Sequence, residues 1–409
     1  MPPGSDPGVP KVRMRGPCDD RDLGAGPSPR PSPPRGEGEG YPEGRAPEPR
    51  PALLSTREPI HPMNRRRFLV GGLAAAPLAI SYSAAAKSDI PIGDMHFHLF
   101  FVGPRTPSTQ PLARNMAAGG VTLASWSLVG DMPWLTLAPG GFKQKGAPRD
   151  DEPVAWLKDE MARVMRHIDS QGLGIVRTAS DVDRALAGEP RVVLSVEGAT
   201  FTDAGAQHVE TAHGLGIRQI QLVHYIRNPL ADFQTSKPVH NGLTEQGREV
   251  LRACQTHAIL VDLAHCTDAA AREALRETTR PLIWSHGSVA PSGRAPAYTM
   301  PIFQARQLRF ETAKMIADTG GVIGLWALGA DVGKSVESYT ERLLQLADWI
   351  GEDHVAFGSD MNALAKPALA SFADHRRVVE LMHKRGVPER RIRKIAIENY
   401  ARVLKAAIG

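Results

Sequence analysis

Five histidines and two carboxylates stand at the ends of apolar runs, in a pattern that could hold metal. His96 and His98 close IPIGDMHFH (90–98), Glu197 closes RVVLSVEG (191–198) and His224 closes IRQIQLVH (217–224). His265 closes ILVDLAH (259–265), His286 closes PLIWSH (281–286) and Asp360 closes HVAFGSD (354–360). His96 and His98 are two apart, so on a strand their side chains share a face and can bind one ion together. His265 and His286, from neighbouring strands, can bind a second, and the two oxygens of Glu197 can bridge the pair. Neutral imidazoles with a carboxylate suit zinc or a similar borderline ion. Two such ions close together can activate a water, polarise an amide carbonyl and stabilise the oxyanion that forms. Singly, each residue reads more simply as a hydrogen-bonded core or rim group, and Asp360 as a helix cap. Meeting at one place without a cation, they would leave a crowd of poorly satisfied polar groups, so the metal reading prevails. The other histidines from His167 to His383 fall in helices, loops or strand starts and read as packing or surface residues.

To bring residues more than 250 positions apart together, the chain needs elements whose ends converge. Eight short apolar runs supply them: the six above with VTLASWS (121–127) and GVIGLW (321–326). Amphipathic stretches alternate with them, among them 245–258, 268–278 and 336–351, and two helices around 371–385 and 388–406 close the domain. Strand and helix in alternation predict an α/β fold, a (β/α)₈ TIM barrel, whose strands present their C-terminal ends on one face. The segment 131–171 is longer than a simple crossover and is expected to carry an inserted helix near the barrel mouth.

Composition divides the 409 residues unevenly. Residues 1–62 hold 16 of the 34 prolines, too many for a packed core, and read as a disordered leader or a misassigned start upstream of Met63. Residues 63–86 begin MNRRRFLVGGLAAAPLAI, with Arg65 and Arg66 before a 12-residue apolar run and small residues around Ala84 and Ala86. This resembles a twin-arginine signal peptide, too short to span a bilayer, and implies export to the periplasm with no stable membrane insertion after cleavage. Residues 87–409 form the catalytic domain. Of 49 Lys/Arg and 44 Asp/Glu, the first 86 residues carry 12 and nine, leaving 37 against 35. Near balance gives no reason to expect nucleic acid or an anionic membrane as partner. Cys254 and Cys266 are enough for one disulfide, not for a disulfide framework. A homodimer is left open as the assembly.

The runs also resemble, in order, the motifs of the membrane (renal) dipeptidase family, over nearly all of 89–409. DMHFH is similar to the family's Asp-x-His-x-Asp, SVEG to its Val-Glu-Gly, and QLVHYIRNPLAD to its Leu-Thr-His-x-x-x-Asn. GLTEQG, VDLAH, WSHGS, FGSD and IENYARVL resemble the motifs that follow. The resemblance implies a barrel of the metallo-dependent hydrolase type. It implies two Zn²⁺ ions, with His96 and His98 on the first, His265 and His286 on the second and Glu197 between. It further implies that His224 contacts the scissile carbonyl, that Arg294 grips the substrate carboxylate, and that Asp360 is the general acid/base. The substrate would be a small dipeptide, one with a D-residue on its C-terminal side included. His98 departs from the family, which has aspartate there, and removes a negative charge from the site; Asn362 stands where a second aspartate is often found. Two rival readings keep the metals: another amidohydrolase reaction on a lactam, lactone or N-acyl amino acid, or a non-catalytic periplasmic metal-binding protein.

Overall fold

The computed structural model describes residues 89–101, 111–138, 141–290 and 301–409. The leader, the signal segment with Arg65 and Arg66, and Arg294 lie outside the described residues.

Eight parallel strands follow one another around the sheet in sequence order. They are β1 (Ile92–Phe97), β2 (Val121–Val129), β3 (Arg191–Glu197), β4 (Ile217–Gln221), β5 (Leu260–Asp262), β6 (Ile283–Val289), β7 (Val322–Leu325) and β8 (Val355–Phe357). The ring closes where chain leaving β8 meets β1: the Asp360 N–H donates to the His96 carbonyl at 2.9 Å, and the His98 N–H donates to that of Met361 at 3.0 Å. Strands such as β2, VTLASWSLV, are buried along their whole length, as a parallel sheet covered by helices on one face and filled on the other requires. Close packing of the last strands depends on glycine. A Cβ on Gly324 of β7, or on Gly358 just past β8, would lie within 2 Å of the Ser285 carbonyl oxygen.

The helices start where their sequences provide caps. The Thr244 and Thr267 hydroxyls accept from the backbone of Gly247 and Ala270, and Ser371 forms a reciprocal pair with Asp374. The last helix, Asn399–Ile408, packs Tyr400, Ala401 and Leu404 against Met95, Leu123, Val193, Leu260, Ile283, Val322 and Ala356. Each of the seven comes from a different strand, mostly from near its start, so this helix seals the N-terminal end of the barrel.

Two expectations change. The 131–171 segment carries the expected helix, Glu152–Ser170, but also an antiparallel hairpin, Leu135–Ala138 with Gly141–Gln144. Cys254 and Cys266 are both free and buried, so they form no disulfide. Burial pushes the Cys254 thiol up to about 12.

Candidate metal centre

The site sits at the C-terminal ends of the strands. His96 and Glu197 lie on β1 and β3 and His286 on β6, whereas His98, His224, His265 and Asp360 stand one to three residues beyond their strands. Leaving the ladder early matters for two of them: His265 and Asp360 adopt φ of 69° and 53°, left-handed conformations that cost a side-chain-bearing residue about 1–2 kcal/mol. Such strain persists where the surroundings fix it, commonly at functional sites.

The ring nitrogens meet in pairs. His96 Nε2 and His98 Nε2 are 3.1 Å apart, and His265 Nε2 and His286 Nε2 are 3.2 Å apart. Glu197 lies between the pairs. Its Oε1 is 3.1 Å from His265 Nε2 and 3.5 Å from those of His286 and His224, and its Oε2 is 3.5 Å from His98 Nε2. Three of the four far ring nitrogens are already engaged, and that of His265 is buried without a hydrogen-bond partner among the described residues. His98 Nδ1 donates to the Ser127 carbonyl at 2.9 Å, and those of His96 and His286 lie 3.0–3.1 Å from the hydroxyls of Ser127 and Ser285. Were Nδ1 the protonated atom on both rings of a pair, their Nε2 lone pairs would face each other across about 3 Å. That arrangement is repulsive unless a cation accepts both.

Charge completes the picture. Burial alone would raise the Glu197 carboxyl, but His224, His96 and His265 hold it well below the usual carboxylate range. Burial pushes the imidazoles of His265 and His286 well below the ordinary value, helped by the Arg306 charge and by His96 respectively. They are therefore neutral donors. The donor set fits divalent metal, which His96 and His98 on one side, His265 and His286 on the other and Glu197 between them would hold. The set His96, His98 and Glu197 and the set Glu197, His265 and His286 each bring their ligand atoms within 4.8 Å of one another, as does His96, His286 and Asp360.

Around the centre, buried carboxylates position these groups. Asp94, two residues before His96, accepts from His375 Nε2 at 2.9 Å and from the hydroxyl and N–H of Ser359 at 2.5 and 3.0 Å. It thereby ties β1 to the residue before Asp360. Asp131 accepts from His224 Nδ1 at 2.7 Å and from the N–H groups of Tyr225 and Ile226 at 2.9 and 3.1 Å. Burial lowers the His224 imidazole, but Asp131 and then Glu197 outweigh it and raise it above its ordinary value.

The residues lie at the base of a cavity of about 90 Å³ lined also by Phe101, Tyr225, Trp326 and Arg306. Arg306 is the cation that sequence reasoning missed. It is only 3% exposed, its Nη2 lies 2.9 Å from His286 Nε2, its Nη1 donates to Gln234 at 3.1 Å, and its guanidinium sits 5.5 Å from the Trp326 ring centre. Arg294, for which the carboxylate grip was expected, lies outside the described residues. Seven of the eight sequence-expected residues are thus brought together.

Residues 113–408 match the model of the membrane dipeptidase family, peptidase family M19. The chain is 28% identical over 256 residues to Dipeptidase tcpJ of Claviceps purpurea, covering 60% of this chain and 58% of that protein. It is 26% identical over 357 residues to Dipeptidase verJ of Clonostachys rogersoniana, covering 82% and 89%. The chain therefore spans less than two thirds of the first relative's length. Among solved structures, dipeptidase AC of the same peptidase family superposes with a TM-score of 0.65 at 21% identity, over 79% of this chain and all of that one. A metallopeptidase of Rhodobacter sphaeroides, solved with a phosphinate mimic of L-Ala-D-Ala, gives 0.62 at 22%, over 78% and 99%. At these identities the structures establish the fold alone, a closed parallel barrel of eight strands alternating with helices.

Proposed function

This chain belongs to the membrane dipeptidase family, and we propose that it hydrolyses the peptide bond of dipeptides at a centre of two zinc ions. The observation that carries the reading is the meeting of two paired imidazole sets on one carboxylate, Glu197, with a buried arginine beside them. When bound, the ions supply Lewis acidity to the scissile carbonyl and to the attacking water.

The chain's own groups do the rest. Arg306 binds the substrate carboxylate; fixed by Gln234 and by the face of Trp326, it offers a forked donor at a defined distance from the centre. His224, doubly engaged as an imidazolium held by Asp131, donates from Nε2 to the scissile carbonyl oxygen. Asp360, 3.3 Å from His98 Nε2 and lining the same cavity, takes the proton from the attacking water and hands it to the leaving amine. The small cavity favours a short side chain. The R. sphaeroides relative, whose ligand mimics L-Ala-D-Ala, supports including D-residues at the C-terminal position.

The test is a substrate panel on the zinc-reconstituted protein: L-Ala-L-Ala, L-Ala-D-Ala, the C-terminal amide of each, and an N-acyl amino acid. The free dipeptides should be cleaved and the amides lose most of their kcat/KM, because Arg306 has no carboxylate to hold. Preferential cleavage of the N-acyl amino acid, with both dipeptides inert, would sink the reading.

A further inference from the structure

Outside the catalytic cavity lies a second, much larger one of about 540 Å³, against about 90 Å³ for the first. The two share the walls formed by Phe142, Tyr225 and Ile302, so a molecule seated over the metal centre has the outer cavity as its immediate neighbour. One side of the outer cavity is the end of the Leu135–Gln144 hairpin; the other is the chain that follows β4. The two are held in register. The Gln144 side chain accepts from the Arg227 N–H at 3.2 Å, and the Phe142 and Tyr225 rings pack 5.7 Å apart between centres.

This arrangement places Lys143 and Arg227 together on the lining. Among the described residues no aspartate or glutamate lines the outer cavity, and neither cation forms an ion pair. Elsewhere on this surface arginines are regularly matched, as Arg252 is with Glu277 and Glu245. Two unmatched cations beside the mouth of a hydrolytic site, next to the polar ends of Gln234 and Ser236, are a recognition element for a negatively charged group. The rest of the lining, Phe142, Tyr225 and Phe233, suits the apolar stem that would carry such a group.

We propose that the outer cavity is a substrate subsite: one residue of the dipeptide is small and stays in the inner cavity, while the other bears a long side chain ending in an acidic group, read by Lys143 and Arg227. The proposal rests on the dipeptidase reading for the identity of the substrate, but not for the existence of the anion site.

The experiment separates the two. Rates are compared for Ala-Ala and for pairs in which one residue is Glu or its neutral isostere Gln, at the N-terminal and at the C-terminal position in turn. At one position the Glu peptide should exceed the Gln peptide in kcat/KM by roughly fivefold or more, the scale of one or two exposed ion pairs. The advantage should shrink in high salt, since both cations are exposed. In Lys143→Ala/Arg227→Ala the ratio should fall to about one with Ala-Ala turnover unchanged, because neither side chain touches the catalytic groups. No preference for Glu at either position, or a preference that survives the double variant, overturns the proposal. If no dipeptide is cleaved at all, the dipeptidase reading fails, and the subsite is then judged by calorimetric titration with glutarate. Binding that is lost in the double variant sustains it; binding equal in both proteins, or absent from both, overturns it.

Discussion

At the starts of the strands, Met95, Leu123, Leu260, Ile283 and Val322 pack on Tyr400 and Leu404, every one of them at most 1% exposed. At the opposite end of the barrel stand five imidazoles and two carboxylates, two of these residues in left-handed backbone. Both ends are equally buried, yet they are stable for different reasons. The floor needs nothing beyond itself, because each apolar side chain removed from water contributes about 1.5–3 kcal/mol. The mouth brings ring nitrogens to within 3.1–3.2 Å of each other, a buried polar cluster that a bound cation would stabilise. One barrel thus separates what folds it from what it does, and substitutions at the two ends should produce different kinds of failure.

The sharpest way to break this division is Glu197→Gln. It keeps the shape of the residue between the two imidazole pairs and removes the carboxylate charge that lies against both. Metal measured by mass spectrometry should drop from about two ions per chain to one or none, and turnover should be abolished. The floor should be indifferent, with secondary structure retained in circular dichroism. A fully metallated Glu197→Gln protein would show that the carboxylate bridges nothing.

Asp360→Asn tests the mouth more finely. A placed general acid/base contributes about 10²–10⁴-fold, so kcat should fall by that much while both metal ions remain. Loss of an ion instead would make Asp360 a ligand, alongside the His96 and His286 atoms that lie within 4.8 Å of it. Leu404→Ala addresses the opposite end. Removing a side chain that is fully buried among residues from seven strands should lower stability by about 2–5 kcal/mol, read from denaturant unfolding, with kcat and metal content unchanged.

The same contrast explains what the sequence discloses. The floor and the strand ends are legible because apolar β-branched runs switch abruptly to His, Glu or Asp, a signal that is local to each run. All eight strands and the cluster of residues at their ends could be read in this way. Groups whose meaning depends on a distant partner could not. Asp94 looks like one more residue of DMHFH until His375, 281 positions on, is found at 2.9 Å. Arg306 lies 20 residues past His286 with no motif to mark it as part of the site. The hairpin went unread because LTLA and GFKQ are four residues each, shorter than the apolar periodicity that identifies a strand.

Asp131 belongs to the same unreadable class and offers the smallest but most diagnostic test of the mouth. Its partner His224 is 93 positions away, and the two backbone N–H groups it also accepts lie in the residues that follow. Asp131→Asn can keep those N–H groups on its remaining oxygen while turning its amide toward His224 Nδ1. The loop stays anchored, but the charge that favours the imidazolium is gone. A charge-assisted hydrogen bond contributes about 1.5–3 kcal/mol, so kcat should fall about 10–100-fold. The pH profile gives the sign. Asp131 and Glu197 raise the His224 imidazole against the pull of burial, so it keeps its proton to higher pH than an ordinary histidine. Without the Asp131 charge that proton is lost earlier, and the alkaline fall of kcat should move to lower pH. Metal content should not change, because His224 is outside the two ligand pairs. If kcat drops but the alkaline limb stays where it was, Asp131 merely anchors the chain after β4. His224 would then act at the scissile carbonyl as a neutral donor.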